Sequence, residues 1–135
     1  MNVAIIPARG GSKRIPQKNI KLFNKKPIIA WSILAAQESR LFDHIVVSTD
    51  DDEIKSIAEE FGATVPFVRP DELSDDITPT VPVIGHAIKK IDMMSKEKVT
   101  FACCIYPCSP FLLSSDLVKA FVLLKESNQN FVYPI

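Results

Sequence analysis

A continuous apolar run near the start of the chain leads directly into a basic, glycine-containing loop. The run is Val3–Ile6, and the loop extends from Ala8 to Asn19. An unbroken apolar run of this kind is typical of a central parallel strand that is buried on both faces. The glycines allow close approach of the backbone and offer N–H donors, while Arg and Lys side chains neutralise anionic charge. The pattern therefore predicts a parallel α/β sheet with a polyphosphate pocket at the end of its first strand.

Basic charge is concentrated around this loop, whereas the chain as a whole is neutral. The first 37 residues contain seven Lys or Arg and no Asp or Glu, but the whole chain has 16 residues of each sign. This balance gives no general attraction to nucleic acid or to a membrane surface. Apolar stretches are far shorter than the ~20 residues needed to span a bilayer, and no secretory signal is visible. We expect one cytoplasmic domain with no nucleic-acid or membrane partner.

Strand and helix signals alternate along the rest of the sequence. Strands are predicted at Val3–Ile6, Ile45–Val47, Ala63–Val68, Val99–Ile105 and Phe131–Ile135. The helical patterns between them start near Pro27, Asp51, Pro82 and Ser114 or Ser115. This alternation predicts an α/β fold, a Rossmann-like three-layer α/β/α arrangement with a mostly parallel sheet. In such folds ligands bind outside the carboxyl ends of the strands, here after Ala8, Val47, Val68 and Ile105.

Several local signals refine these predictions. Asp51 and Asp52 place negative charge at a helix N-terminus, and Gly62 suits the position just after the end of that helix. The alternative for Asp50, Asp51 and Asp52 is a metal cluster, and the role of Asp50, which ends a strand at the functional edge, stays open. Pro66 indicates an edge or irregular strand, because proline cannot donate to a ladder.

The basic loop does not match the two most familiar nucleotide signatures. Neither GxxxxGK[ST] nor GxGxxG follows the first strand. Cations spread over Arg9, Lys13 and Lys18 suit a triphosphate, whose charge is distributed over several phosphorus centres. The alternative is a solvated basic loop without a ligand.

The loop also resembles the signature of a known family. Ile5–Pro16, continued by Lys18–Ile20, is similar to the motif of the acylneuraminate cytidylyltransferases, and Lys26–Ile29, Val47–Asp50 and Arg69–Leu73 continue the match in order. These enzymes make CMP-activated nonulosonic acids from CTP and a free sugar acid. The resemblance implies the fold of the nucleotide-diphospho-sugar transferases. It implies that residues 1–135 are the N-terminal portion of the nucleotide-binding domain, truncated at the C-terminus.

Two segments resemble the pseudaminic acid branch of that family, namely Leu73–Ile84 and Cys103–Tyr106. Sialic acid members are expected to have Gln where Tyr106 stands. This position belongs to the sugar-binding region of the family, so the resemblance implies that Tyr106 and Ser109 bind the sugar. Sialic acid, legionaminic acid and Kdo remain alternative substrates.

The resemblance also implies roles for the residues of the loop. Arg9, Ser12 and Lys13 would hold the β- and γ-phosphates, with Gly10 and Gly11 lining the same loop. Lys18 would lie at the α-phosphate, where negative charge grows during attack, so Lys18 and Arg9 are the candidate catalytic residues. Asn19 resembles a nucleotide contact.

A second group of residues is predicted to bind the base and ribose. The planar fork of Arg69 can donate to O2 and N3 of cytosine, which would favour CTP over UTP. The alternative for Arg69 is a surface salt bridge with Asp71 or Glu72. Thr78 and Thr80 match positions beside the base and ribose, with helix capping as the alternative.

Metal and thiol chemistry are less evident in the sequence. The resemblance implies Mg²⁺, but no metal ligands are identified in this chain and they are expected beyond residue 135. It also implies a homodimer for full-length members.

Cys103, Cys104 and Cys108 are predicted to be reduced and mostly buried. The rival to an enzyme is a truncated CTP-binding module without turnover.

Overall fold

Three parallel strands form the central sheet of the computed structural model, which describes residues 1–12 and 14–135. The strands are β1 (Asn2–Pro7), β4 (His44–Ser48) and β5 (Phe101–Cys104), in the order β4–β1–β5. Ile5 of β1 lies opposite Val46 on one side and Cys104 on the other. The parallel sheet expected from the sequence is confirmed. Because the strands are parallel, their carboxyl ends lie at the same edge of the sheet.

Among the described residues, four helices cover this sheet and two short strands form a second, two-stranded sheet. The helices are α1 (Ile28–Ser39), α2 (Asp52–Glu60), α3 (Thr80–Met94) and α4 (Ser114–Glu126). The short strands β2 (Leu22–Phe23) and β3 (Lys26–Pro27) pair antiparallel. Two single-turn 3₁₀ helices occupy Lys18–Ile20 and Asp71–Leu73.

The apolar run of β1 separates two hydrophobic clusters. Ala4 and Ile6 pack with residues of α1, α2 and α4, whereas Val3 and Ile5 pack with Ala87 and its neighbours on α3. All four of these β1 side chains are fully buried. Alternate side chains of a strand point to opposite faces, so a strand that is apolar at every position must be covered on both faces. This confirms the three-layer α/β/α arrangement.

The segment predicted as a strand at Ala63–Val68 is extended but forms only an isolated parallel bridge, between Thr64 and Val46. Ala63, Val65 and Phe67 are buried in the alternating pattern of a strand. Pro66 has no backbone N–H, so a ladder could not continue through it. The segment is therefore not a full strand of the sheet, and its irregularity is what Pro66 indicated.

The predicted strand at Phe131–Ile135 is also wrong, because these residues adopt no regular structure. Phe131 and Tyr133 are exposed and their rings stack on each other at 6.0 Å. High β-propensity depends on a neighbouring strand to pair with, and β5 pairs with β1 alone among the described residues.

Helix boundaries follow the predicted signals in part. Asp51 caps α2 by accepting a hydrogen bond from the Ile54 N–H at 2.9 Å, and Gly62 has the positive φ of 96° that its position requires. The cap of α4 is Leu113 and not Ser114 or Ser115, because the Asp116 carboxylate accepts from the Leu113 N–H instead. α3 begins two residues before Pro82.

The short hairpin β2–β3 was not predicted from the sequence. Its turn places both Asn24 and Lys25 at positive φ, and only the asparagine is typical of such a turn. Trp31 of α1 is only partly buried; its Nε1–H donates to the Phe23 carbonyl at 2.8 Å. None of the helices in the described ranges is long and apolar enough to cross a membrane.

The loop after β1 is packed against the N-terminus of α2. The Gly10 N–H donates to the Asp50 carboxylate at 2.8 Å. A Cβ atom at Gly10 would lie 2.7 Å from atoms of Asp51, whereas a Cβ at Gly11 would have no neighbour within 4 Å. The two adjacent glycines therefore have different roles, since only Gly10 is required for close packing in this structure.

Gly10→Ala is expected to lower the free energy of unfolding by about 1–3 kcal/mol, because the loop must move away from Asp51. Gly11→Ala is the matched control and should change it by no more than about 0.5 kcal/mol. Urea unfolding of both variants measures the difference. Equal destabilisation by the two substitutions would contradict the packing argument.

Candidate active site

A cavity of about 230 Å³ lies at the carboxyl ends of the sheet strands. Seven of the predicted site residues line it, namely Arg9, Lys18, Asn19, Arg69, Thr78, Thr80 and Tyr106. Three residues that the sequence analysis did not single out complete the lining, namely Pro7, Val83 and Pro107. The residues predicted for phosphate, base and sugar therefore meet in one place, although they come from loops that are far apart in the sequence.

Arg9 follows β1 and lines the cavity. Its Nη1 donates to the Asp76 carboxylate at 2.6 Å and to the Gly11 carbonyl at 3.1 Å. The backbone of Arg9 is held by Asn19, whose Nδ2 donates to the Arg9 carbonyl at 3.0 Å. Asn19 is 2% exposed. It therefore holds the backbone of the loop from a buried position and also lines the cavity.

Lys18 begins the 3₁₀ helix that follows the basic loop. Its side chain is exposed and lines the cavity, and its backbone N–H donates to the Ile15 carbonyl at 3.2 Å. The preceding Gln17 adopts a left-handed conformation with φ of 52°, which turns the chain into this helix. An ammonium group on a cavity wall can interact with an anionic ligand as a point charge.

Arg69 is the most deeply buried cation of the site, with 4% of its surface exposed. Its Nε donates to the Ser48 hydroxyl at 3.3 Å and its Nη1 to the Leu73 carbonyl at 3.4 Å. No salt bridge joins it to Asp71 or Glu72 within the described ranges. The alternative of a surface salt bridge is therefore wrong, because the side chain points inward.

Burial and neighbouring charges have opposing effects on the pKa of Arg69. Burial lowers the pKa of Arg69, the Asp50 carboxylate raises it and the neighbouring Arg9 lowers it further. A guanidinium nevertheless retains its proton in proteins. Asp50 thus supports the site twice, since it also accepts the Gly10 N–H. The sequence left Asp50 without a role because nothing in its local pattern indicates which loop it meets.

Three further cavity residues, Thr78, Thr80 and Tyr106, form hydrogen bonds with other side chains. The Thr78 hydroxyl donates to the Asp75 carboxylate at 2.5 Å, which fixes the loop. Thr80 Oγ1 and the Tyr106 hydroxyl lie 3.1 Å apart and share a hydrogen bond. Neither threonine caps α3, whose cap is Pro79, so the helix-capping alternative is wrong for both.

Other predicted site residues lie outside the cavity. Gly10, Gly11, Ser12 and Ser109 do not line it, and Lys13 lies outside the described residues. The Gly10 N–H is already bonded to Asp50, so it is not a free donor for a phosphate in this structure. Hydrogen bonds from buried side chains also went unpredicted, such as the one from the Ser32 hydroxyl to the Tyr106 carbonyl at 2.8 Å.

The three cysteines are free, but they are less buried than predicted. Cys103 is half-buried, while Cys104 and Cys108 are exposed. The prediction of mostly buried thiols is wrong because β5 has one uncovered edge and Cys108 sits in the loop beyond it. Burial still raises the pKa of Cys103 to about 11, so this thiol stays protonated at neutral pH.

The carboxylates near the cavity do not form a metal centre. Within residues 1–12 and 14–135, no group of three or more His, Cys, Asp or Glu side chains could hold a metal ion. Asp51 caps α2 and Asp50 binds the Gly10 N–H. The arrangement provides cations for an anionic ligand.

Two solved structures share the fold of this chain. A CMP:2-keto-3-deoxy-manno-octonic acid synthetase complexed with CTP has a TM-score of 0.77 at 20% identity, covering 93% of this chain and 48% of that chain. A cytidylyltransferase from Leptospira borgpetersenii has a TM-score of 0.74 at 22% identity, covering 94% and 50%. At these identities the likeness establishes the fold alone.

Sequence relatives are closer. A pseudaminic acid cytidylyltransferase of Campylobacter jejuni (strain 81-176) is 42% identical over 132 residues, 98% of this chain and 56% of that protein. A CMP-N,N'-diacetyllegionaminic acid synthase of the same species is 52% identical over 83 residues, 62% of this chain and 35% of that protein. The chain thus spans about half the length of the pseudaminic acid relative.

The family model described as "Cytidylyltransferase" matches residues 3–134, nearly the whole chain. This agrees with the motif resemblance in the basic loop and with the fold of the solved neighbours. The chain belongs to the cytidylyltransferase family.

Proposed function

We propose that the protein transfers CMP from CTP to a nonulosonic acid, pseudaminic acid, and releases pyrophosphate. The observation that carries this proposal is the single cavity in which Arg9 and Lys18 meet Arg69 and Tyr106. Such a transfer needs three parts: cations for a triphosphate, a donor group for a base and a side chain for a sugar. Here the donor group for the base is the buried guanidinium of Arg69. The match to pseudaminic acid cytidylyltransferases over 98% of the chain supports the choice of sugar.

In the proposed reaction, the anomeric hydroxyl oxygen of the sugar acid attacks the α-phosphorus of CTP. A new P–O bond forms to the sugar, the bond to the β-phosphate oxygen breaks, and pyrophosphate leaves while the hydroxyl loses its proton. Negative charge grows at the α-phosphate during this step. Lys18 stabilises that charge, and Arg9 holds the leaving phosphates. Cations placed in advance lower the barrier because they need no reorganisation during the reaction.

Arg69 is the proposed base reader. Its guanidinium is buried, and bonds to Ser48 and Leu73 fix its plane. A fixed planar donor suits O2 and N3 of cytosine, which are both acceptors, whereas N3 of uracil carries a hydrogen. The site should therefore prefer CTP to UTP, because a buried donor facing another donor is unpaired.

Legionaminic acid is the second candidate substrate. The specific observation in its favour is the 52% identity to the legionaminic acid synthase, which exceeds the identity to the pseudaminic acid enzymes but covers only 62% of the chain. Tyr106, which contacts Thr80 at the cavity, lies where the choice between these sugars would be made.

The proposal includes Mg²⁺, a cytoplasmic location and a homodimer for a full-length protein. The polyphosphate of CTP carries about four negative charges, and a divalent ion commonly organises such charge in phosphoryl transfer. Three free thiols are compatible with a reducing compartment. Titration with CTP in the presence of Mg²⁺ or EDTA and sedimentation analysis are the direct tests of the metal and the dimer.

Pyrophosphate release should be fastest with pseudaminic acid in a panel that also contains legionaminic acid, N-acetylneuraminic acid and Kdo. The assay uses CTP with and without Mg²⁺, alongside calorimetric titration of CTP. Faster release with legionaminic acid would favour the second candidate. Binding of CTP with no release from any sugar would indicate a nucleotide-binding module without turnover.

Lys18→Ala is expected to lower kcat by about 10²-fold while changing the KM for CTP little, because its charge acts mainly in the transition state. Lys21→Ala is the matched control, since Lys21 is an exposed lysine that does not line the cavity. Steady-state kinetics on the protein that shows release measures both constants. A large rise in KM at unchanged kcat would contradict the role given to Lys18.

Arg69→Lys is expected to weaken binding of CTP and to reduce the preference for CTP over UTP, because lysine keeps the charge but loses the planar fork. Binding of pyrophosphate, which has no base, should be unchanged. Calorimetry with the three ligands checks this, after thermal unfolding has established that the variant is folded. If CTP remained strongly preferred to UTP, Arg69 would not read the base.

A further inference from the structure

The ion pair between Arg9 and Asp76 joins two loops that both contribute residues to the cavity. The Nη1 of Arg9 and the Oδ1 of Asp76 are 2.6 Å apart, and the two residues are 67 positions apart in the chain. Arg9 belongs to the loop after β1, whereas Asp76 belongs to the loop that carries Thr78 and leads into α3. A carboxylate thus binds the guanidinium that the proposed function assigns to the phosphates of CTP.

The loop around Asp76 is fixed by its own hydrogen bonds. The neighbouring Asp75 carboxylate accepts from the N–H groups of Ile77 and Thr78 at 3.1 Å and 2.7 Å, and also from the Thr78 hydroxyl. The Thr78 hydroxyl bond is the main cause of the lowered pKa of Asp75, so this carboxylate stays ionised at neutral pH. Asp75 therefore shapes the turn, and the turn presents the adjacent Asp76 to Arg9.

The ion pair is well placed to be exchanged for a ligand. The side chains of Arg9 and Asp76 are 26% and 34% exposed, and partly exposed ion pairs contribute little net stability. Phosphate oxygens and carboxylate oxygens accept the same charge-assisted hydrogen bonds from a guanidinium. A triphosphate brings more negative charge than one carboxylate, and it would also repel Asp76.

We propose that Asp76 is a positioning residue that pairs with the donors of Arg9 when no nucleotide is bound and yields them to the phosphates of the nucleotide. This inference rests on the proposed function, because it takes Arg9 as a phosphate ligand. Asp76 then sets the affinity for ligands whose phosphates reach Arg9. Ligands whose phosphate reaches only Lys18 do not compete with Asp76.

The test compares Asp76→Asn with Asp71→Asn in calorimetric titrations with CTP, pyrophosphate and CMP at low and high salt. Asp71 is exposed and lies in the same loop, so its substitution makes the same change of net charge. Asp76→Asn is expected to bind CTP and pyrophosphate about threefold to tenfold more tightly at low salt. The affinity for CMP should be unchanged. The increase in affinity for CTP and pyrophosphate should be smaller at high salt.

Three outcomes would overturn the inference. Weaker binding by Asp76→Asn, with an unfolding temperature equal to that of the unsubstituted chain, would mean that Asp76 helps to hold the ligand. An equal gain from Asp71→Asn would mean that only overall charge matters. If the unsubstituted chain bound pyrophosphate but not CTP, the proposed function would fail while the exchange at Arg9 could still be measured with pyrophosphate. Absence of binding to both ligands would overturn both.

Discussion

The pairing of β1 with a parallel strand on each side is the constraint on which the site depends. Each neighbouring loop is anchored to a strand end by a backbone bond, such as those from the Ala8 N–H to the Ser48 carbonyl and from the Ile105 N–H to the Ile5 carbonyl, at 2.9 Å and 3.0 Å. Parallel strands end at the same edge, so the loops leaving them must meet there. The cavity follows from this geometry, and burial of β1 on both faces holds the geometry in place.

The site also depends on a balance of charge between neighbouring loops. Two arginines, Arg9 and Arg69, lie close enough to lower the pKa of the buried one. Asp50 and Asp76 offset their repulsion, the first by its charge near Arg69 and the second by direct contact with Arg9. Such counter-charges matter because cations that are buried without them are costly. The carboxylates are therefore part of the site even though none of them was predicted to bind the nucleotide.

The elements predicted correctly are those whose signals are local. Examples are the unbroken apolar run of β1, the carboxylates before α2 and Gly62 after it. Each of these signals constrains the local structure whatever the rest of the fold is. The segments Ala63–Val68 and Phe131–Ile135 depart from regular strands for different reasons. Pro66 interrupts the ladder of the first, whereas the second has no partner strand among the described residues, and a partner is not encoded in the segment itself. The environment of Arg69 could not be predicted for a similar reason. Nothing beside it in the sequence distinguishes a buried guanidinium from one in a surface salt bridge.

The sequence by itself determined the class of fold, the basic loop and the family, because periodicity, glycine placement and motif spacing are properties of short segments. Only the tertiary structure decided which groups face one another. Asp76 meeting Arg9, Asp50 meeting Gly10 and Thr80 meeting Tyr106 are contacts between segments 26 to 67 residues apart. Such contacts are set by strand order and register, which bring distant loops together at one edge of the sheet.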